Sequence, residues 1–149
     1  MTELEQLLAR EAIRETKARY CRFLDTKQWE QWGAQFTTDI EMDVSEDVPE
    51  GSDVDPIVRG RQVVVDQVRM LVGAARTVHQ IHAAEIQFSS ATEATMISAM
   101  EDWVAFPDGI AAPFKSMHGY GHYHETYRFQ DGAWRIAKVK LTRLQQDFI

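Results

Sequence analysis

Two side chains far apart in this sequence have the types that move protons, Asp25 and His79. A neutral imidazole can take a proton from carbon when a carboxylate fixes its tautomer and stabilises the imidazolium that forms. Asp25 closes the stretch Tyr20-Cys21-Arg22-Phe23-Leu24-Asp25, which ends a long helical pattern, and stands in the bend before a second helix expected from Gln28 to Phe36. The same residue starts an Asp-x-x-Gln pattern ahead of Trp29 and has the type of a helix N-cap, so both readings stand here. His79 falls in a strand pattern from Val78 to Phe88. His79 and Ile81 share one face of that strand, while Ile86 and Phe88 have the other parity. A one-residue bulge near Ala83-Ala84 would bring all four to the core side, with His79 inside and His82 outside. A buried histidine satisfied by a backbone carbonyl is the plainer alternative.

The remaining histidines sort by the same rule. His118, Tyr120, His122 and His124 share one parity of a strand expected from Gly119 to Phe129 and its approach; Tyr123, Glu125, Tyr127 and Phe129 share the other. The second set is the more apolar and should face the helices, leaving the histidine row on the outer face, open to a partner subunit. Its His-x-His spacing also permits a metal site, but no matching third ligand accompanies it, and no metal is expected. Arg143 shares parity with Ala137, Val139 and Leu141. An arginine on an inward face is costly unless paired, so it either snorkels to water at a strand end or holds an anion or oxyanion at a cavity mouth. Phe23, Trp29, Met96, Met100, Trp103, Phe106 and Tyr123 supply aromatic and thioether groups, a subset of which should line an apolar pocket. Parity selects Tyr123 among them.

Helices and strands must bring these groups together. Thr2 and Glu5 have capping-box spacing, so a helix begins at once, with Leu4, Leu7, Leu8, Ile13, Tyr20 and Leu24 as its apolar stripe and Lys17 and Arg19 toward solvent or its edge. Thr38 to Val44 alternates as a strand. Ser45 to Pro56 is acidic, but Val48 stands where an EF-hand requires glycine, and the segment reads as a solvated loop, a rim or a lid. A third helix runs from about Arg61 to Gly73. Strand patterns follow to the chain's end, around Val78–Phe88, Ala94–Phe106, Gly119–Phe129 and Ala133–Leu144, the last two joined by an Asp131-Gly132 turn. Helices first and antiparallel strands afterwards make one α+β domain with the helices on one face of a curved sheet.

Composition narrows the partners. The 149 residues fit one domain, and a net charge of -7 with a single cysteine, Cys21, opposes binding to nucleic acid or an anionic membrane and excludes an internal disulfide. No apolar run is long enough for a membrane span, and the first residues lack a signal-peptide pattern, so cytoplasmic residence is expected.

Taken in order, Tyr20-x-x-x-x-Asp25 with Trp29, the Thr77-Val78-His79 strand, and Gly121-His122-Tyr123 leading to Asp131-Gly132-Ala133-Trp134-Arg135-Ile136 resemble the nuclear-transport-factor-2-like superfamily, in its scytalone dehydratase and polyketide-cyclase-like (SnoaL-like) branch. The resemblance covers nearly the whole chain. It implies a cone-shaped α+β barrel, a mainly antiparallel curved sheet wrapped around three N-terminal helices and an apolar cavity. It also implies an Asp-His pair working without metal or organic cofactor, and Asp25 and His79 match that pair in order and context. Tyr20 and Arg143 match a tyrosine and an arginine of the bile-acid dehydratases, the tyrosine donating to a leaving hydroxyl or enolate. Scytalone dehydratase has a second cavity histidine on the next strand, where this chain offers Met96, Ser98 and Met100. The expected function is a cofactor-independent dehydratase or isomerase acting on a small hydrophobic cyclic molecule, with catalytic Tyr20, Asp25, His79 and Arg143 and substrate-binding Trp29, Met100, Trp103 and Tyr123. The alternative is a non-catalytic ligand-binding or scaffold member of the fold. A homo-oligomer, a trimer by the same resemblance, is expected.

Overall fold

A computed structural model describes all residues from Met1 to Ile149. Helix α1 spans Glu3–Asp25 and starts on the capping box: Thr2 Oγ1 accepts the Glu5 N–H (3.1 Å) and Glu5 accepts the Thr2 N–H (2.7 Å). Its buried face is Ala9, Ile13, Thr16, Lys17, Tyr20, Cys21 and Leu24. Leu4, Leu7 and Leu8 are exposed, so the stripe expected from the sequence holds only from Ala9 onward. Lys17 is a correction. At 2% exposure it lies inside, on the same helical face as Ile13 and Tyr20.

Helix α2 is a single turn, Trp29–Gly33, shorter than expected because Phe36 already opens β1 (Phe36–Asp43), paired to the last strand. A three-residue strand, β2 (Ile57–Arg59), and helix α3 (Arg61–Val72) follow. Then come β3 (Arg76–Phe88), β4 (Glu93–Ala105), β5 (Ser116–Gln130) and β6 (Ala133–Phe148). The β5–β6 hairpin turns on Asp131 and Gly132, both at positive φ (53° and 75°), a conformation these two residue types tolerate.

The strands form one curved open sheet in the order β2-β1-β6-β5-β4-β3. Every pairing is antiparallel except β1 with β6, which makes the sheet mixed. The architecture is an α+β cone with three helices on the sheet's concave face. Between them lies a core that includes Ile13, Trp32, Phe36, Ile40, Met96, Tyr127 and Ile136. Each such large apolar side chain contributes about 1.5–3 kcal/mol by leaving water. No helix is long and apolar enough to cross a membrane.

Two local features aim side chains at one end of this core. In β3 the pairing with β4 slips between Ile81 and Ala84, so a bulge lies where the parity of the sequence requires one. In β6 Arg143 continues the inward parity of Val139 and Leu141 opposite Gly121, and the pairing slips just beyond it, at Leu144. The acidic segment after β1 is not wholly solvated: its first turn, Ser45–Asp47, is bonded to β6 through Arg143 and Gln146.

Candidate functional site

Helix α1 stops at Asp25 because Lys27 takes a positive φ (60°) and the Thr26 and Gln28 N–H groups turn back to the Arg22 and Phe23 carbonyls. Asp25 is not the cap of α2, whose N-cap position is Gln28. Its carboxylate points across to β3. Oδ2 accepts the backbone N–H of His79 (2.8 Å), Oδ1 accepts the Thr77 hydroxyl (3.0 Å), and Oδ1 lies 2.7 Å from His79 Nδ1. A carboxylate only accepts, so Nδ1 carries the proton and Nε2 is left as the basic nitrogen. Lys27 Nζ donates to Thr77 Oγ1 (2.9 Å), extending the chain of bonds behind the carboxylate. Burial pushes the Lys27 ammonium below its usual range, an effect that Asp25 opposes. The dyad is recessed without being shut off: the side chains of His79 and Asp25 keep 10% and 21% of their surface, against 56% for His82.

Beside the dyad lies a second charged group. Asp102 on β4 is directly opposite His79 on β3, and directly opposite Gly119 on β5, so all three occupy one row of the inner face. Arg143 grips Asp102 with two bonds, Nη1 to Oδ1 (2.7 Å) and Nη2 to Oδ2 (3.1 Å). It grips Asp47 with two more, Nε to Oδ1 (2.8 Å) and Nη2 to Oδ2 (3.3 Å). Burial alone would lower the Arg143 pKa, but the hydrogen bonds to Asp102 and Asp47 outweigh it and hold the guanidinium charged. Gly119 makes the space for this pair. A β-carbon there would meet the Arg143 guanidinium and come within 2.6 Å of Asp102 Oδ1.

Deeper in, Lys17 pairs with Glu125, and Tyr127 donates to the other oxygen of that carboxylate (3.0 Å). The Lys17 ammonium sits 3.7 Å from the Tyr20 ring centre and 3.5 Å from that of Tyr123. Burial raises the pKa of both tyrosines, which stay protonated phenols. The two rings meet edge to face at 6.1 Å.

The expected site residues therefore divide. Asp25 and His79 touch, and Arg143 reaches Asp102 in the next rung. Tyr20, Tyr123 and Met100 are buried on the inner face. Trp29 is half-buried at the bend after Asp25, edge to face with Trp32 at 5.9 Å. Trp103 is elsewhere: it faces outward and stacks on His118 at 3.8 Å, so the fold does not bring it to the dyad. The histidine row also faces outward. His118 lies 3.2 Å and His82 3.3 Å from Glu101, and no three acidic, histidine or cysteine side chains are arranged to hold a metal ion. A pocket of about 310 Å³ opens between α1 and the β3 bulge, walled by Arg14, Lys17, Ala18, Ile81, Ala84 and Met96.

Sequence reasoning missed Asp102, Thr77, Lys27 and Asp47. A signal existed for the first: Asp102 shares parity with Met96, Ser98, Met100 and Val104, and an acid in an inward apolar set needs a partner, as Arg143 does.

A sequence model for the SnoaL-like domain matches residues 5–140. Solved structures share the fold. A Novosphingobium aromaticivorans protein assigned as a scytalone dehydratase superposes with a TM-score of 0.83 at 21% identity, covering 99% of this chain and 92% of its own. A type 2 hexachlorocyclohexane dehydrochlorinase (LinA) gives 0.81 at 18% identity, covering 99% and 93%. Rv3472 of Mycobacterium tuberculosis, a protein of unknown function, gives 0.75 at 25% identity, covering 97% and 78%.

Proposed function

This chain belongs to the SnoaL-like domain family, and from that premise we propose that it is a cofactor-independent lyase or isomerase using Asp25 and His79 on a small hydrophobic cyclic substrate. The observation that carries the reading is the 2.7 Å contact between Asp25 and His79 Nδ1, a pair recessed from solvent but not closed off. It leaves Nε2 as a base whose ring is held by a carboxylate that is itself held by two further donors. In an elimination, Nε2 takes the proton from the carbon beside a carbonyl or leaving group. The C–H electrons form the new double bond, and the leaving group departs from the neighbouring carbon. Asp25 stabilises the imidazolium meanwhile, and the proton passes to the leaving group or to water. Tyr20, a phenol throughout, supplies a hydrogen-bond donor for developing negative charge. Only protons and a leaving group move, so the step needs no cofactor. Two structural neighbours bear the names of elimination enzymes, a dehydratase and a dehydrochlorinase, which supports this class of reaction. In this reading Trp29, Met100 and Tyr123 are the apolar groups that would hold such a ring.

The test is a panel of cyclic β-hydroxy ketones and halogenated cyclohexanes, followed by enone absorbance and halide release. The wild-type protein should turn over at least one member. His79→Ala should be slower by a factor of about 10²–10⁴, the usual worth of a positioned base. Binding without turnover, or equal turnover by His79→Ala, would instead favour a ligand-binding member of the fold.

A further inference from the structure

The arginine beside the dyad is not free to hold an anion. Of its five N–H donors, the one on Nε goes to Asp47, one on Nη1 goes to Asp102, and Nη2 is divided between the two carboxylates. One guanidinium between two carboxylates leaves the trio with a net charge of about -1. The arrangement is built in: Arg143 and Asp102 keep only 9% and 5% of their side-chain surface, and Gly119 gives up its β-carbon to admit them. Meanwhile Asp102 stands directly opposite His79 on the neighbouring strand, where opposed side chains are separated by about 4.5–5.5 Å between β-carbons. Each of its oxygens accepts one Arg143 N–H and has lone-pair capacity left.

We propose that Asp102 is the substrate-selecting residue of this site: its carboxylate, fixed by Arg143, accepts a hydrogen bond from a hydroxyl of a neutral substrate lying against His79, and the surplus negative charge turns away anionic molecules of the same shape. This rests on the lyase reading for the identity of the site, but it concerns which molecules enter, not what happens to them. Both oxygens of Asp102 already accept Arg143 N–H groups, so its part here is that of an acceptor. It supplies recognition and repulsion together.

The experiment compares two rings of similar size at pH 7, neutral phenol and anionic benzoate, by NMR titration of the full chain. Wild-type protein should bind phenol at least about tenfold more tightly than benzoate, a difference of about 1.4 kcal/mol. Asp102→Asn removes the charge and keeps the shape. It should reduce or invert that preference by about tenfold, with benzoate gaining and phenol losing. Asp47→Asn removes the same unit charge from the outer side of the trio, so benzoate should gain several-fold while phenol is unchanged. This second variant carries the test if Asp102→Asn does not fold. An unchanged phenol-to-benzoate ratio in the variants overturns the proposal. So does wild-type protein that binds benzoate as well as phenol, or binds neither. Because the readout is binding, these outcomes are separate from the His79→Ala turnover result: loss of the ratio with intact catalysis defeats only the selection claim, and the reverse defeats only the lyase reading.

Discussion

Two polar pairs on the inner face, Lys17 with Glu125 and Asp25 with His79, are treated differently by the molecule. Lys17 and Glu125 are enclosed, at 2% and 0% side-chain exposure, with Tyr127 on one carboxylate oxygen and two aromatic rings around the ammonium. Asp25 and His79 are also bonded tightly, yet they keep part of their surface and one ring nitrogen without a protein partner. Taking charges out of water is costly in both places. In the first, the charged atoms are answered from within and almost wholly removed from solvent, which is the condition of a structural element. In the second, the network behind Asp25 is complete while its front is open, which is the condition of a site. Burial and pairing therefore do not by themselves mark function. What supports the proposed role of His79 is a recessed ring nitrogen left bare while its other nitrogen is held by Asp25.

That contrast can be broken from either side. The largest effect should follow replacement in the open network: Asp25→Asn should lower turnover by about 10²–10⁴, because the ring loses its fixed tautomer, while thermal unfolding by calorimetry moves little. In the enclosed pair, Lys17→Met should do the opposite. It leaves Glu125 as an uncompensated buried charge and should cost about 3–5 kcal/mol in urea unfolding, with the pattern of any remaining activity preserved. Gly119→Ala sits between the two. Its new methyl must push apart Arg143 and Asp102, and about 1–3 kcal/mol of destabilisation is expected, with a shift in ligand preference.

The Asp25–His79 pair was readable in the sequence, and the Lys17–Glu125 pair was not. His79 could be placed because parity conflicted within its own strand, and one bulge at Ala83-Ala84 resolved the conflict; the β3 register slips there. Asp25 was readable only as one of two roles, and the direction of its side chain needed three dimensions. Lys17 falls at helical spacing from Ile13, Tyr20 and Leu24, so its position signalled burial while its type signalled solvent. Only the partner resolves that conflict, and Glu125 is 108 residues away. Asp102 was lost among the methionines of β4 for the same reason. The strand β2 is three residues long, too short for a period-two pattern to register.

A finer comparison uses the interior next to the enclosed pair. Cys21 is buried, and burial pushes its thiol up to about 11, with Lys17 pulling the other way. At pH 8 only about one thiol in a thousand is thiolate, so iodoacetamide should modify folded protein far more slowly than urea-unfolded protein, followed by mass spectrometry. Lys17→Met should accelerate the reaction through loosened packing, whereas Asp25→Asn should not.

The orientation of His79 by Asp25 is the claim on which the rest depends, and nitrogen-15 NMR of the histidine side chains at about pH 8, where ordinary imidazoles are neutral, reads it directly. His79 should show a single tautomer with the proton on Nδ1 and a bare Nε2, and Asp25→Asn should abolish that preference. A His79 ring protonated on Nε2, or one averaging between tautomers in the wild-type protein, would contradict it.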